Sequence, residues 1–74
     1  MITRQIKMNE LSKIYAFSEK ARNVNGDVII KKGHFAVDGK SMLGIMSINL
    51  SEGATIEYPN DAIEFDAFVK EFEI

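Results

Sequence analysis

The sequence predicts a small α+β domain: a four-stranded, mainly antiparallel sheet with three helices on one face. Three observations carry this expectation. The elements read in the order strand, helix, strand, strand, helix, strand, helix (βαββαβα); the first strand alternates polar and apolar residues; and the last helix carries an aromatic stripe. A helix between the first two strands requires a crossover, whereas the middle pair is a hairpin. That combination suits an antiparallel sheet with helices on one side and a partly wet other side.

Ile2 to Met8 alternates with period two, so Ile2, Ile6 and Met8 face a core while Thr3, Gln5 and Lys7 face away. Arg4 interrupts the inward set, and its stem is expected to lie along an edge or turn out. Asn9 is a good helix N-cap, with Glu10 as an acid in the first turn. Leu11, Ile14, Tyr15, Ser18, Ala21 and Val24 follow helical spacing, and Asn25-Gly26 ends the helix. Asp27 to Lys32 is a β-branched run, Gly33 permits a tight turn, and His34 to Asp38 returns with Phe35 and Val37 inward.

Ser41 to Ile48 fits a helix or a buried strand by period alone. Ser41 as a cap, and the unbranched Met42, Leu43 and Met46, favour a short helix. Gly44 within it costs up to ~1 kcal/mol against alanine, so this helix depends on packing. Glu52-Gly53 is a turn, Ala54 to Tyr58 a last strand, and Pro59 stops it. Asp61 and Glu64 resemble a capping box. Ile63, Phe65, Phe68, Val69 and Phe72 form the apolar face of the final helix.

Length and composition bound the function. The 74 residues, 1–74, leave room for one domain only. A domain this small buries only about 60% of the surface its unfolded chain exposes, so its stability is modest. With 46% hydrophobic and 27% charged residues the chain is globular, not disordered. No cysteine is present, which removes disulfide staples and thiolate metal sites. A net charge of -2 argues against nucleic-acid binding, and no apolar run reaches the ~18 residues of a membrane span. Met1 to Met8 lacks the apolar centre of a signal peptide, so a cytoplasmic location is expected.

The segment Gly39-Lys40-Ser41-Met42-Leu43-Gly44-Ile45-Met46-Ser47-Ile48 is similar to the Lys-Ser-Ile-Met-Gly-Ile-Met-Ser-Leu stretch of the HPr family. That family comprises the phosphocarriers of the bacterial sugar phosphotransferase system. Gly53, before an alternating strand, also fits its pattern, and the resemblance covers nearly the whole chain. It implies the HPr-like open-faced β-sandwich, a regulatory serine at Ser41, and a hydrophobic partner-docking helix carrying Lys40, Met42, Leu43 and Met46. Met42 and Met46 are expected on its outer side.

The family's second motif, Gly-Leu-His-Ala-Arg-Pro-Ala at the start of the first helix, fails here. An ungapped alignment places Glu10 at the histidine, Ser12 at the arginine and Lys13 at the proline. The chemistry needs those groups: a histidine nitrogen is the nucleophile, and an arginine clamps the phosphoryl oxygens. A carboxylate repels an anion instead. Glu10 therefore reads as an ordinary helix-start acid, with permanent imitation of a phosphohistidine as a further reading. His34, the single histidine, is expected to be an exposed turn residue with no catalytic or metal role.

Three functions compete. The first is a non-enzymatic regulatory or adaptor protein. Relatives lacking the histidine but keeping the serine act through a serine-phosphorylated form that binds a transcriptional regulator. Its candidate partners are an HPr-type serine kinase, such a regulator, or a phosphotransferase-system component, with no cofactor, nucleic acid or membrane. The second is a phosphocarrier with a displaced acceptor. The third is a scaffold that kept only the fold.

Overall fold

The computed structural model describes all of residues 1–74. Four strands, β1 (Ile2–Ile6), β2 (Ile29–Lys32), β3 (Phe35–Asp38) and β4 (Ala54–Tyr58), form one antiparallel sheet in the order β1-β4-β2-β3. Three α-helices, α1 (Leu11–Arg22), α2 (Met42–Met46) and α3 (Ile63–Val69), and 3-10 turns at Leu50–Glu52 and Lys70–Phe72 complete the chain. No helix is long and apolar enough to cross a membrane.

Register makes the sheet one-sided. Ile56 sits opposite Arg4 on β1 and Ile30 on β2, and Ile30 sits opposite Val37 on β3. On this face Ile6, Ile30, Ile56 and Tyr58 are fully buried, whereas Thr3, Gln5 and Lys31 on the other face are exposed. Phe17 of α1 bridges the helices, with ring centroids 5.4 Å from Phe65 and 6.4 Å from Phe68. Phe65 in turn lies edge-on to Tyr58 of the sheet at 5.1 Å. This aromatic chain closes α1 and α3 over β4.

Two glycines are required by geometry. Gly33 takes φ +60° at the first central position of the two-residue β2–β3 turn, where that conformation matches the twist of the flanking strands. Gly26 takes φ +129°, and a Cβ there would lie 2.8 Å from Cγ of Pro59, so only glycine lets the α1–β2 loop meet the β4–α3 loop.

Several local expectations are corrected. Both long helices begin one residue later than the sequence suggests. Glu10, not Asn9, is the N-cap of α1, and Ala62, not Asp61, is the N-cap of α3. Neither makes a side-chain cap bond, so there is no capping box. The helix α1 ends at Arg22, with Asn23 as its C-cap, before Asn25-Gly26 is reached. Its buried stripe is Phe17, Ser18 and Ala21, with Ile14 half-buried and Val24 buried just beyond its end; Leu11 and Tyr15 are exposed. Phe17 wins the inward position because its ring packs edge-on against Phe65 and tilted against Phe68 of α3. Ile63, at the first position of α3, and Phe35, beside the turn on the outermost strand, are also exposed, since no element covers them.

Arg4 does not turn out to solvent. It stays on the helix side of β1, where its Nε donates to Asp66 Oδ1 at 2.7 Å and to the Tyr58 hydroxyl at 3.0 Å, and its Nη1 donates to Glu73 Oε2 at 2.9 Å. The C-terminal residues reach it by lining the outer edge of β1: Lys7 N–H donates to the Phe72 carbonyl at 3.0 Å and Ile74 N–H to the Gln5 carbonyl at 2.9 Å. An inward arginine is tolerated because two carboxylates and a phenol await it.

Candidate interaction site

The residues singled out by the sequence, His34 apart, fall on or just before two packed helices. Glu10 opens α1 in extended backbone (φ -107°, ψ 128°), and its carbonyl accepts from the N–H groups of Lys13 and Ile14, both at 3.1 Å. Its side chain is exposed and caps nothing. The helix start therefore presents unpartnered N–H groups at Leu11 and Ser12, an exposed Ser12 hydroxyl, and no imidazole or guanidinium. Lys13 points its ammonium at the Phe72 ring, 5.7 Å from its centroid. His34 is exposed in the β2–β3 turn, on a different element from this helix.

Ser41 is the N-cap of α2, as its residue type predicts. Its Oγ accepts from Gly44 N–H at 3.1 Å, with backbone at φ -101° and ψ 114°. The residue is half-buried, not fully exposed. Beyond it, Leu43 is 84% exposed and Met46 54%, while Met42 is half-buried and Ile45 lies in the core. A five-residue helix with one inward anchor, Ile45, leaves Leu43 and Met46 outward, whereas Met42, expected on the outer side, is half-buried. On the adjoining α1, Leu11 and Tyr15, one turn apart, are 61% and 58% exposed. Helical spacing in the sequence predicts both on the inward face, and the structure places both outside. Ser18 and Ala21 of the expected stripe are buried, but Phe17 takes the inward position expected for Tyr15, and no local spacing signals that exchange.

Lys40 sits differently from Met42, Leu43 and Met46. Its Nζ donates to the Val24 carbonyl at 2.8 Å, beyond the end of α1, and its N–H donates to Asp38 Oδ1 at 2.9 Å. Its ammonium fastens α2 to α1. Two residues that sequence reading overlooked complete this joint. Ser18, buried in α1, brings its Oγ to 3.5 Å from the Lys40 carbonyl, and Arg22 donates from Nε to the same oxygen at 3.3 Å.

The start of α2 thus lies beside the second half of α1, and Met8 N–H donates to Leu50 O at 3.1 Å where the chain returns to the β1–α1 connection. Ser41 and Glu10 are not brought together. Ser12 and Ser18 are six residues apart on one helix, which separates them by about 9 Å along its axis. A cleft of about 450 Å³ between the end of α1 and the start of α3, lined by Asn23, Val24, Asn25, Asp61 and Phe65 among others, contains none of these site residues.

Comparison with known proteins places this fold. A family model described as the PTS HPr component phosphorylation site matches residues 13–69. The crystal structure of a phosphocarrier protein HPr from Bacillus anthracis str. Ames matches with a TM-score of 0.73 at 23% identity, covering 97% of this chain and 96% of that one. No curated protein sequence matches significantly.

Proposed function

The chain belongs to the HPr family, and on that premise we propose that it is a regulatory or adaptor protein of phosphotransferase-system signalling, acting through the α1–α2 surface without carrying phosphoryl groups. The observation that supports this reading is the exposure of Leu43 and Met46 on α2, behind the capping Ser41, and of Leu11 and Tyr15 on the adjoining α1, with an exposed glutamate and no histidine at the start of α1. Such a surface offers apolar anchors, one of them a flexible methionine, to a partner protein. It offers no imidazole at the start of α1 to take phosphoenolpyruvate-derived phosphate, and nothing beside Glu10 activates its carboxylate. Ser41 is its regulatory residue: a phosphate there adds about -1.5 to -2 charges beside an apolar patch, changing what the surface binds while leaving the sheet untouched.

Two measurements test this. On incubation with phosphoenolpyruvate and the phosphotransferase that normally loads HPr, mass spectrometry is expected to find no added phosphate. A stoichiometric acid-labile phosphate on His34, or a hydroxylamine-sensitive one on Glu10, would falsify the proposal and revive the displaced-acceptor phosphocarrier. With an HPr-type serine kinase and ATP, wild type is expected to gain one phosphate and Ser41→Ala none. If wild type stays unmodified, Ser41 is a helix cap and nothing more.

A further inference from the structure

Arg22 ends α1, and its position is set by the segment that precedes Ser41. The carbonyl of Lys40, to which Arg22 Nε donates at 3.3 Å, belongs to the peptide unit that ends on the nitrogen of Ser41. Ser18 approaches the same oxygen at 3.5 Å, so two side chains of α1 fasten this peptide. The other edge of the Arg22 guanidinium holds Glu19, one turn back, in an exposed ion pair. Exposed pairs of this kind are weak and exchange readily.

We propose that Arg22 is the intramolecular receptor for a phosphate on Ser41, releasing Glu19 to bind the phosphate while keeping the Lys40 carbonyl. The biological use of this contact rests on the Ser41 reading above; the contact itself does not. Several charged groups border Ser41. From β3, Asp38 holds the Lys40 N–H at 2.9 Å and repels a phosphate. Lys40 is attractive, but its ammonium is engaged with Val24. From α1 come Glu19 and Arg22, and α2 itself carries no charged residue. Arg22 is also engaged, but its ionic partner Glu19 is an exposed carboxylate that exchanges readily, so Arg22 is the cation that can answer the new charge by trading one anion for another. A guanidinium offers a planar fork that matches phosphate oxygens, and near neutral pH the phosphate carries up to twice the charge of the carboxylate it replaces. The exchange ties α2 more tightly to α1 and frees a carboxylate on the exposed side of α1. One modification would then alter the charge pattern of both helices that form the candidate surface.

The test installs phosphoserine at position 41 during translation, so it does not depend on any kinase; the kinase assay above reports on that separately. The phosphate is titrated by phosphorus NMR in the wild-type background, in Arg22→Gln, and in Lys20→Gln as a control for the general field. Lys20 suits that role because its ammonium lies 5.2 Å from the Phe68 ring centroid, away from Ser41. Arg22 is half-exposed, so its replacement leaves the core intact, and circular dichroism verifies the fold. The phosphate is expected to lose its second proton at a pH lower by about half a unit or more with Arg22 present, because an opposite charge in contact favours the dianion. Lys20→Gln is expected to leave the curve in place. Coincident curves for wild type and Arg22→Gln, or an equal displacement by Lys20→Gln, would overturn the proposal.

Discussion

Phe17→Ala is expected to cost about 3–5 kcal/mol, the range for emptying a fully buried phenylalanine site. Phe17 has no exposed surface, and its ring contacts Phe65 and Phe68, so the cavity would open where α1 meets α3 above the sheet. A chain of 74 residues has roughly 4–11 kcal/mol in total at about 0.05–0.15 kcal/mol per residue. The variant is therefore expected to be partly unfolded at 37 °C. Phe68→Ala is expected to be clearly milder, because Phe68 is only half-buried at the rim of the same cluster. Urea denaturation of both variants decides the order. A loss under about 1 kcal/mol for Phe17→Ala, or a larger one for Phe68→Ala, would show that the aromatic layer is centred elsewhere.

The contrast between these two phenylalanines shows what the sequence could reveal. Spacing identified Phe65, Phe68, Val69 and Phe72 as one face because these positions satisfy a single helical period. It could not choose between Tyr15 and Phe17 on α1, since Leu11, Ile14, Tyr15 and Ser18 satisfy the period equally well. The choice is made by a tertiary contact, the edge-on packing of Phe17 against Phe65 of α3. Cap signals failed by one residue at Asn9 and Asp61 for a related reason: packing sets where each helix begins, and neither side chain then lies in register with a free N–H. Ser41 was legible because its cap bond to Gly44 is local. Of the candidate surface, the outward placement of Met46 could be anticipated; the engagement of Lys40 with Val24, and the approach of Ser18 and Arg22 to the Lys40 carbonyl, could not. Those contacts join residues 16 to 22 positions apart, and no local pattern encodes them.

Arg4 is the largest departure from sequence expectation, and it makes stability depend on pH at both extremes. Its guanidinium, and then the Tyr58 hydroxyl, hold the Asp66 carboxyl down to about 2 from an ordinary 3.8. The folded state thus binds this proton less readily than the unfolded chain. The stabilisation from Asp66 is complete above about pH 4 and is lost as pH falls through about 2. Tyr58 behaves in the opposite sense. Burial, and then its bond to Asp66, push the phenol up to about 12 from 10. Its contribution is complete below pH 10 and is lost as pH rises through about 12. Tyr58→Phe keeps the ring against Phe65 but removes a hydrogen bond to a carboxylate, a loss of roughly 1.5–3 kcal/mol at neutral pH. It is also expected to flatten the alkaline limb of the stability profile. Asp66→Asn is expected to lower stability at neutral pH and to remove part of the acid limb, because the asparagine has no proton to gain while Arg4 keeps Glu73 as its remaining carboxylate. Urea midpoints measured from pH 2 to 12 isolate each contribution as a difference from wild type. If Asp66→Asn and wild type lose stability in parallel between pH 4 and 2, the carboxylate is not coupled to Arg4 in solution, and β1 is joined to α3 by apolar packing alone.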